Sequence, residues 1–69
     1  MAKERILSLL GMEKLLKRAG APRVAEDAKA ALQEVLEEHA DGLCTKAVEL
    51  SRHAGRRTVK AEDVKLARR

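Results

Sequence analysis

Arg52, Arg56, Arg57 and Lys60 fall within nine residues around Gly55, with the Thr58 hydroxyl among them and no acid between. Guanidinium and ammonium groups only donate hydrogen bonds, so such a cluster beside loop N–H groups suits phosphate oxygens. A second basic zone precedes it: Lys14, Lys17, Arg18 and Arg23 are the only charged residues from 14 to 25. Between the two zones the sign reverses, with Glu26, Asp27, Glu34, Glu37, Glu38, Asp41 and Glu49 set against Lys29 and Lys46. One basic run is commonly no more than a solvated face. Two runs divided by an acidic middle suit a folded chain that gathers both onto one surface.

The composition narrows the classes further. A formal charge of +4 and an isoelectric point near 9.6 favour an acidic partner, either nucleic acid or an anionic membrane surface. Residues 3 to 12 offer a short apolar set in Ile6, Leu7, Leu9 and Leu10, but its length and Glu4 argue for packing over membrane binding. No apolar run approaches the roughly 20 residues that span a bilayer, and no signal peptide is evident, so an intracellular, cytoplasmic location is expected. Catalysis is not expected. No Ser or Cys nucleophile has a base at motif spacing, no glycine-rich phosphate loop occurs, and the carboxylates fall on a solvated face. No set of Cys and His has zinc spacing, so neither metal nor cofactor is expected.

The elements that must hold the basic zones follow from apolar spacing. Leu9, Met12, Leu15, Leu16 and Ala19 recur at three- and four-residue steps, predicting a helix of two to three turns that stops at Gly20. Gly20 to Val24 reads as a loop around Pro22. Ala28, Leu32, Val35, Leu36, His39, Leu43, Ala47, Leu50 and Ala54 keep one stripe over residues 25 to 54, a rod of roughly 40 Å. Gly55 is placed to end it, and Thr58-Val59 to form a short extended link. A last helix is predicted over residues 60 to 69, with Val64 and Ala67 or Leu66 inward. Cys44 is expected to serve as a small packed side chain, with a surface position open to oxidation as the alternative.

With 69 residues, no aromatic side chain and a single Cys44, the chain forms at most one domain and has no intrachain disulfide to support a thin core. A short helix, a long helix and a short helix cannot bury the long stripe within one chain, so two chains are expected to cross. Antiparallel crossing would set the first loop of one protomer beside the second loop of its partner.

From Gly20 to Ala67 the sequence closely resembles the archaeal histones, the tail-less members of the histone-fold family. The residues that carry the resemblance are Arg18-Ala19-Gly20-Ala21, Arg23-Val24, Asp27-Ala28, Val35-Leu36-Glu37-Glu38, Ala47-Val48 and, above all, the run from Arg52 to Asp63. The resemblance implies an all-α histone fold and an intertwined handshake dimer that wraps double-stranded DNA with little sequence preference, as a chromosome-associated protein of the nucleoid. It also implies dimers that join into tetramers or longer stacks on DNA, and allows a heterodimer with another histone. By position, Arg23 resembles the side chain that enters the minor groove, as arginines do in eukaryotic histone octamers. Lys14 and Lys17 match a phosphate site on the first helix; Arg57, Thr58 and Lys60 match one at the second loop.

The same resemblance makes Arg56 and Asp63 a buried pair bracing that loop. It makes His53 and Asp63, flanked by Leu50 and Leu66, the contact that joins dimers. Gly20 is then expected to allow close approach of stacked layers, where Glu34, Glu38 and Asp41 would meet Lys65 and Arg69. Two relatives of different habit compete: a histone-fold component of a transcription complex, and a face-to-face tetramer that bridges two duplexes. The basic first loop opposes the former, and His53 with Asp63 favours wrapping over the latter. Departures from the family pattern are a proline-free stretch from Met1 to Met12, a last helix shortened at Arg69, and Ala25 where a Ser or Thr cap is usual. That cap is worth about 1 kcal/mol.

Overall fold

Ser8 is a good helix starter, and its Oγ accepts the N–H of Gly11 at 2.9 Å. A Cβ on Gly11 would lie 2.9 Å from that same oxygen, so glycine there keeps the cap in place. In the computed structural model, which describes residues 5–69, this cap opens α1 (Leu9–Arg18); α2 (Glu26–His53) and α3 (Ala61–Ala67) follow. No strand occurs among the described residues. The proline-free stretch before Met12 therefore contains a serine cap, while residues 1–4 lie outside the described part.

The approach to α1 is fixed by α2. The Glu37 carboxylate accepts the N–H groups of Ile6 and Leu7 at 3.1 and 3.3 Å, and the Gln33 amide donates to the Leu7 carbonyl. Glu37 is consequently buried, an unusual place for a carboxylate, with backbone donors to satisfy it. Met12 is the buried apolar residue of α1.

Both α1 and α2 end in the same way. At Gly20, φ is +118°, with Gly20 N–H donating to the Lys17 carbonyl and Ala21 N–H to that of Leu16. At Gly55, φ is +75°, with Gly55 N–H donating to Arg52 and Arg56 N–H to Ser51. These paired bonds are the Schellman motif, which satisfies carbonyls the helix leaves open and turns the chain sharply. Each basic loop thus begins at a left-handed glycine.

At the start of α2 the Ala25 carbonyl accepts the N–H groups of Ala28 and Lys29, so the helix opens on backbone bonds with Glu26 and Asp27 in its first turn. Its 28 residues run ~42 Å at 1.5 Å per residue. The chain forms two compact units, one up to Glu38 and one from His39 to Arg69, and α2 contributes its first half to one and its second half to the other. Ala47 and Ser51 are buried on the second half, with the Ser51 hydroxyl donating to the Val48 carbonyl.

Three expectations need correction. α3 turns Asp63 and Ala67 inward, one turn apart, and leaves Val64 and Leu66 exposed. The inward position goes to Asp63 because its carboxylate is needed at the loop, which places Val64 one step round the helix. The regular helix is also shorter than residues 60 to 69, since Lys60 sits extended at the cap and Ala67 ends it. Cys44 is free and exposed, not packed.

The core of the single chain is small. Ile6 is 84% exposed, Val35 60%, Leu10 58% and Leu66 53%, and Leu9, Val59 and Val64 are also exposed. Two short helices do not cover a rod of this length, and so much apolar side chain in water marks surface made for another protein.

Candidate nucleic-acid interface

The second loop is built around one guanidinium. Arg56 donates through Nη1 to Asp63 Oδ2 and through Nη2 to Asp63 Oδ1, each at 2.9 Å. Nη1 also reaches the Thr58 carbonyl at 3.3 Å, and Nη2 lies 3.5 Å from Glu62 Oε1. The same Asp63 carboxylate accepts the Lys60 N–H at 2.8 Å. One acid therefore closes the loop, caps α3 and anchors Arg56. Two parallel N–H···O bonds fix orientation as well as distance.

The electrostatics follow from these bonds. Arg56 holds the Asp63 carboxyl below its ordinary value, helped by the Lys60 N–H, and Asp63 in turn raises the Arg56 guanidinium. With Arg56 engaged inward, Arg57, Thr58 and Lys60 are left exposed on the outer side of the loop.

On the other unit, Lys14 and Lys17 are exposed three residues apart, which places them on one side of α1. Arg23 is exposed in the loop after Pro22. Among the described residues no hydrogen bond or ion pair engages the side chains of Lys14, Lys17, Arg23 or Arg57. Lysine and arginine left without acids, on a chain that carries eleven, are available to an external polyanion.

Leu50, His53 and Leu66 lie together: with Lys46, Glu49 and Ala67 they line a shallow depression of about 340 Å³. Asp63 is not in its lining. It is 4% exposed, and three donors already occupy its oxygens, leaving Oδ1 with room for one more. Gly20, Glu34, Glu38 and Lys65 are all exposed. For Gly20 the positive φ alone calls for glycine, and a Cβ there would meet nothing within 4 Å.

Sequence reasoning overlooked two features. One is the clamp of Glu37 and Gln33 on residues 6 and 7, whose only signal along the chain is an acid directly after Val35-Leu36. The other is Lys29, which bridges Glu13 of α1 at 3.2 Å and Glu26 at 2.8 Å. The spacing Lys60-x-x-Asp63 did carry a readable sign, since an acid at the third helical position commonly accepts the N–H of the cap residue.

No helix among the described residues is long and apolar enough to cross a membrane, and no group of three metal-ligating side chains occurs among them. Comparison with known proteins gives the geometry its context. Residues 7–67 match the family described as histone-like transcription factor (CBF/NF-Y) and archaeal histone. The chain is 56% identical over 61 residues to one of the subunits of archaeal histone HAN1 from Thermococcus zilligii, covering 88% of this chain and 91% of that one. It is 52% identical over 56 residues to probable archaeal histone 3 of Methanocaldococcus jannaschii, covering 81% and 84% respectively. A match spanning all three helices and both basic loops, at these identities, places the chain in the family of histone-like transcription factors and archaeal histones.

Proposed function

We propose that this DNA-binding chromatin protein, which is not an enzyme, wraps duplex DNA through dimers that present both basic loops to the phosphate backbone. The observation that carries the reading is the set of exposed cations that have no acidic partner among the described residues, Lys14, Lys17 and Arg23 on the first unit and Arg57 on the second, where Arg56 and Asp63 brace the loop from within. Arg57, Thr58 and Lys60 bind phosphate at the second loop; Lys14 and Lys17 do so along α1; Arg23 enters the minor groove. Interactions of this kind fix the duplex in place and carry little base information, so binding is sequence-tolerant.

Dimerisation belongs to the histone family, and the exposed apolar side chains supply its driving force here. In the proposed assembly the partner is a second copy. The name of the Thermococcus zilligii relative makes it one part of something larger, and pairing with a different histone is the alternative. Dimers then meet through the depression of Leu50, His53 and Leu66, and His53 of one dimer pairs with Asp63 of the next, which lies outside that lining and has room for one more donor on Oδ1. Successive dimers stack with Gly20 at the junction and Glu34 and Glu38 facing Lys65. Exposed pairs of that kind are worth 0 to about 1 kcal/mol each and weaken with salt, so they bias stacking without dictating it.

The test is binding to mixed-sequence duplex as a function of salt. Affinity is expected to fall steeply with salt, and Arg23→Ala with Arg57→Ala to weaken binding on every sequence and flatten the logarithmic slope by about 0.9 for each phosphate no longer neutralised. An unchanged slope in the double variant would remove both residues from the interface.

A further inference from the structure

Lys29 stands on the first turn of α2 with its side chain only 13% exposed, its Nζ 3.2 Å from Glu13 and 2.8 Å from Glu26. The first of these acids lies inside the basic zone of α1. Glu13 precedes Lys17 by four residues, and an acid four positions before a lysine is the favourable order for a pair along a helix. Yet Lys17 makes no ion pair among the described residues, and Glu13 reaches to α2 instead. The charge of Lys17 still acts on Glu13: the carboxyl is lowered by its hydrogen bond to Lys29, next by the Lys29 charge, and then by Lys17. Two cations thus compete for one carboxylate, and the half-buried one holds it.

We infer that Lys29 is a positioning residue for DNA binding: by engaging Glu13 across the helix pair, it keeps that carboxylate off Lys17 and leaves the Lys17 ammonium to the duplex phosphate. The inference rests on Lys17 binding a phosphate. Lys29 itself, turned inward between two acids, does not touch DNA. Glu26 serves as the second anchor that keeps Lys29 inward.

Fluorescence anisotropy with a short duplex, repeated over a range of salt, tests it in variants of the full chain. Lys29→Met is expected to lower affinity several-fold and to flatten the logarithmic salt slope by about 0.9 per chain, the signature of one phosphate no longer neutralised. Lys29→Arg should keep the wild-type slope. Adding Glu13→Gln to Lys29→Met should restore the slope, because nothing then captures Lys17. Lys17→Met should flatten the slope by the same amount, and adding Lys29→Met to it should change the slope no further.

That last comparison separates positioning from a general charge effect, which would add in both backgrounds. Equal losses from Lys29→Met with and without Lys17→Met overturn the inference while leaving Lys17 at the phosphate. An unchanged slope in Lys17→Met alone overturns the phosphate role of Lys17 and the inference together. Should Lys29→Met fold poorly by circular dichroism, the comparison of Lys29→Arg with Glu13→Gln decides: the inference requires wild-type slopes in both, and a flattened slope in either overturns it.

Discussion

At the scale of single residues, Asp63 does the most. Its carboxylate joins Arg56, caps α3 through the Lys60 N–H, and sits 4% exposed where an unpaired charge would be costly. Because Arg56 holds this carboxyl below the ordinary aspartate value of 3.8, the native state binds its proton less readily than the unfolded chain. The stabilisation is therefore complete above that value and is lost as pH falls through the lower value of the folded protein. Asp63→Asn should be less stable than the parent at neutral pH, and the gap should close as pH drops below about 4 in urea titrations. A gap that stays constant down to about pH 2 would mean that the charge of Asp63 is not what braces the loop. The pair was legible in the sequence only through the family resemblance; the spacing of Lys60 and Asp63 could have signalled the cap, but nothing along the chain tied Arg56 to it.

At the scale of the elements, the ends of α1 and α2 were readable because each has a local cause. Gly20 and Gly55 end α1 and α2 with positive φ, a requirement that the residue type itself announces. The inward face of α3 was not readable, since the hydrophobic pattern favoured Val64 while the loop's need for a carboxylate placed Asp63 inside. The same holds for Glu37, an acid whose burial depends on two backbone N–H groups 31 and 30 residues away in sequence. The start of α2 offers the clearest test at this scale. Ala25 has no side-chain acceptor for the first-turn N–H groups, so Ala25→Ser should stabilise the protein by about 1 kcal/mol, measured by chemical unfolding at fixed chain concentration. No gain would show that backbone and solvent already satisfy those donors.

At the scale of the whole molecule, a 69-residue chain with Ile6, Leu10, Val35 and Leu66 largely in water has apolar surface that only another protein can cover. In the proposed dimer, two copies of α2 cross in antiparallel fashion and cover part of it, with the first loop of one chain beside the second loop of its partner and Leu66 left for the contact between dimers. Such a dimer carries twice the +4 of one chain. In the proposed assembly, DNA binding therefore depends on the pairing of chains. The most direct measurement labels loops on separate chains: in a Cys44→Ser background, Ala21→Cys carries a donor fluorophore and Val59→Cys, on a different copy, an acceptor. Efficient energy transfer on mixing and refolding the two, abolished on dilution with unlabelled chain, is the expected result. Mixed chains that pair yet show no transfer, or that remain single, would contradict the crossed dimer.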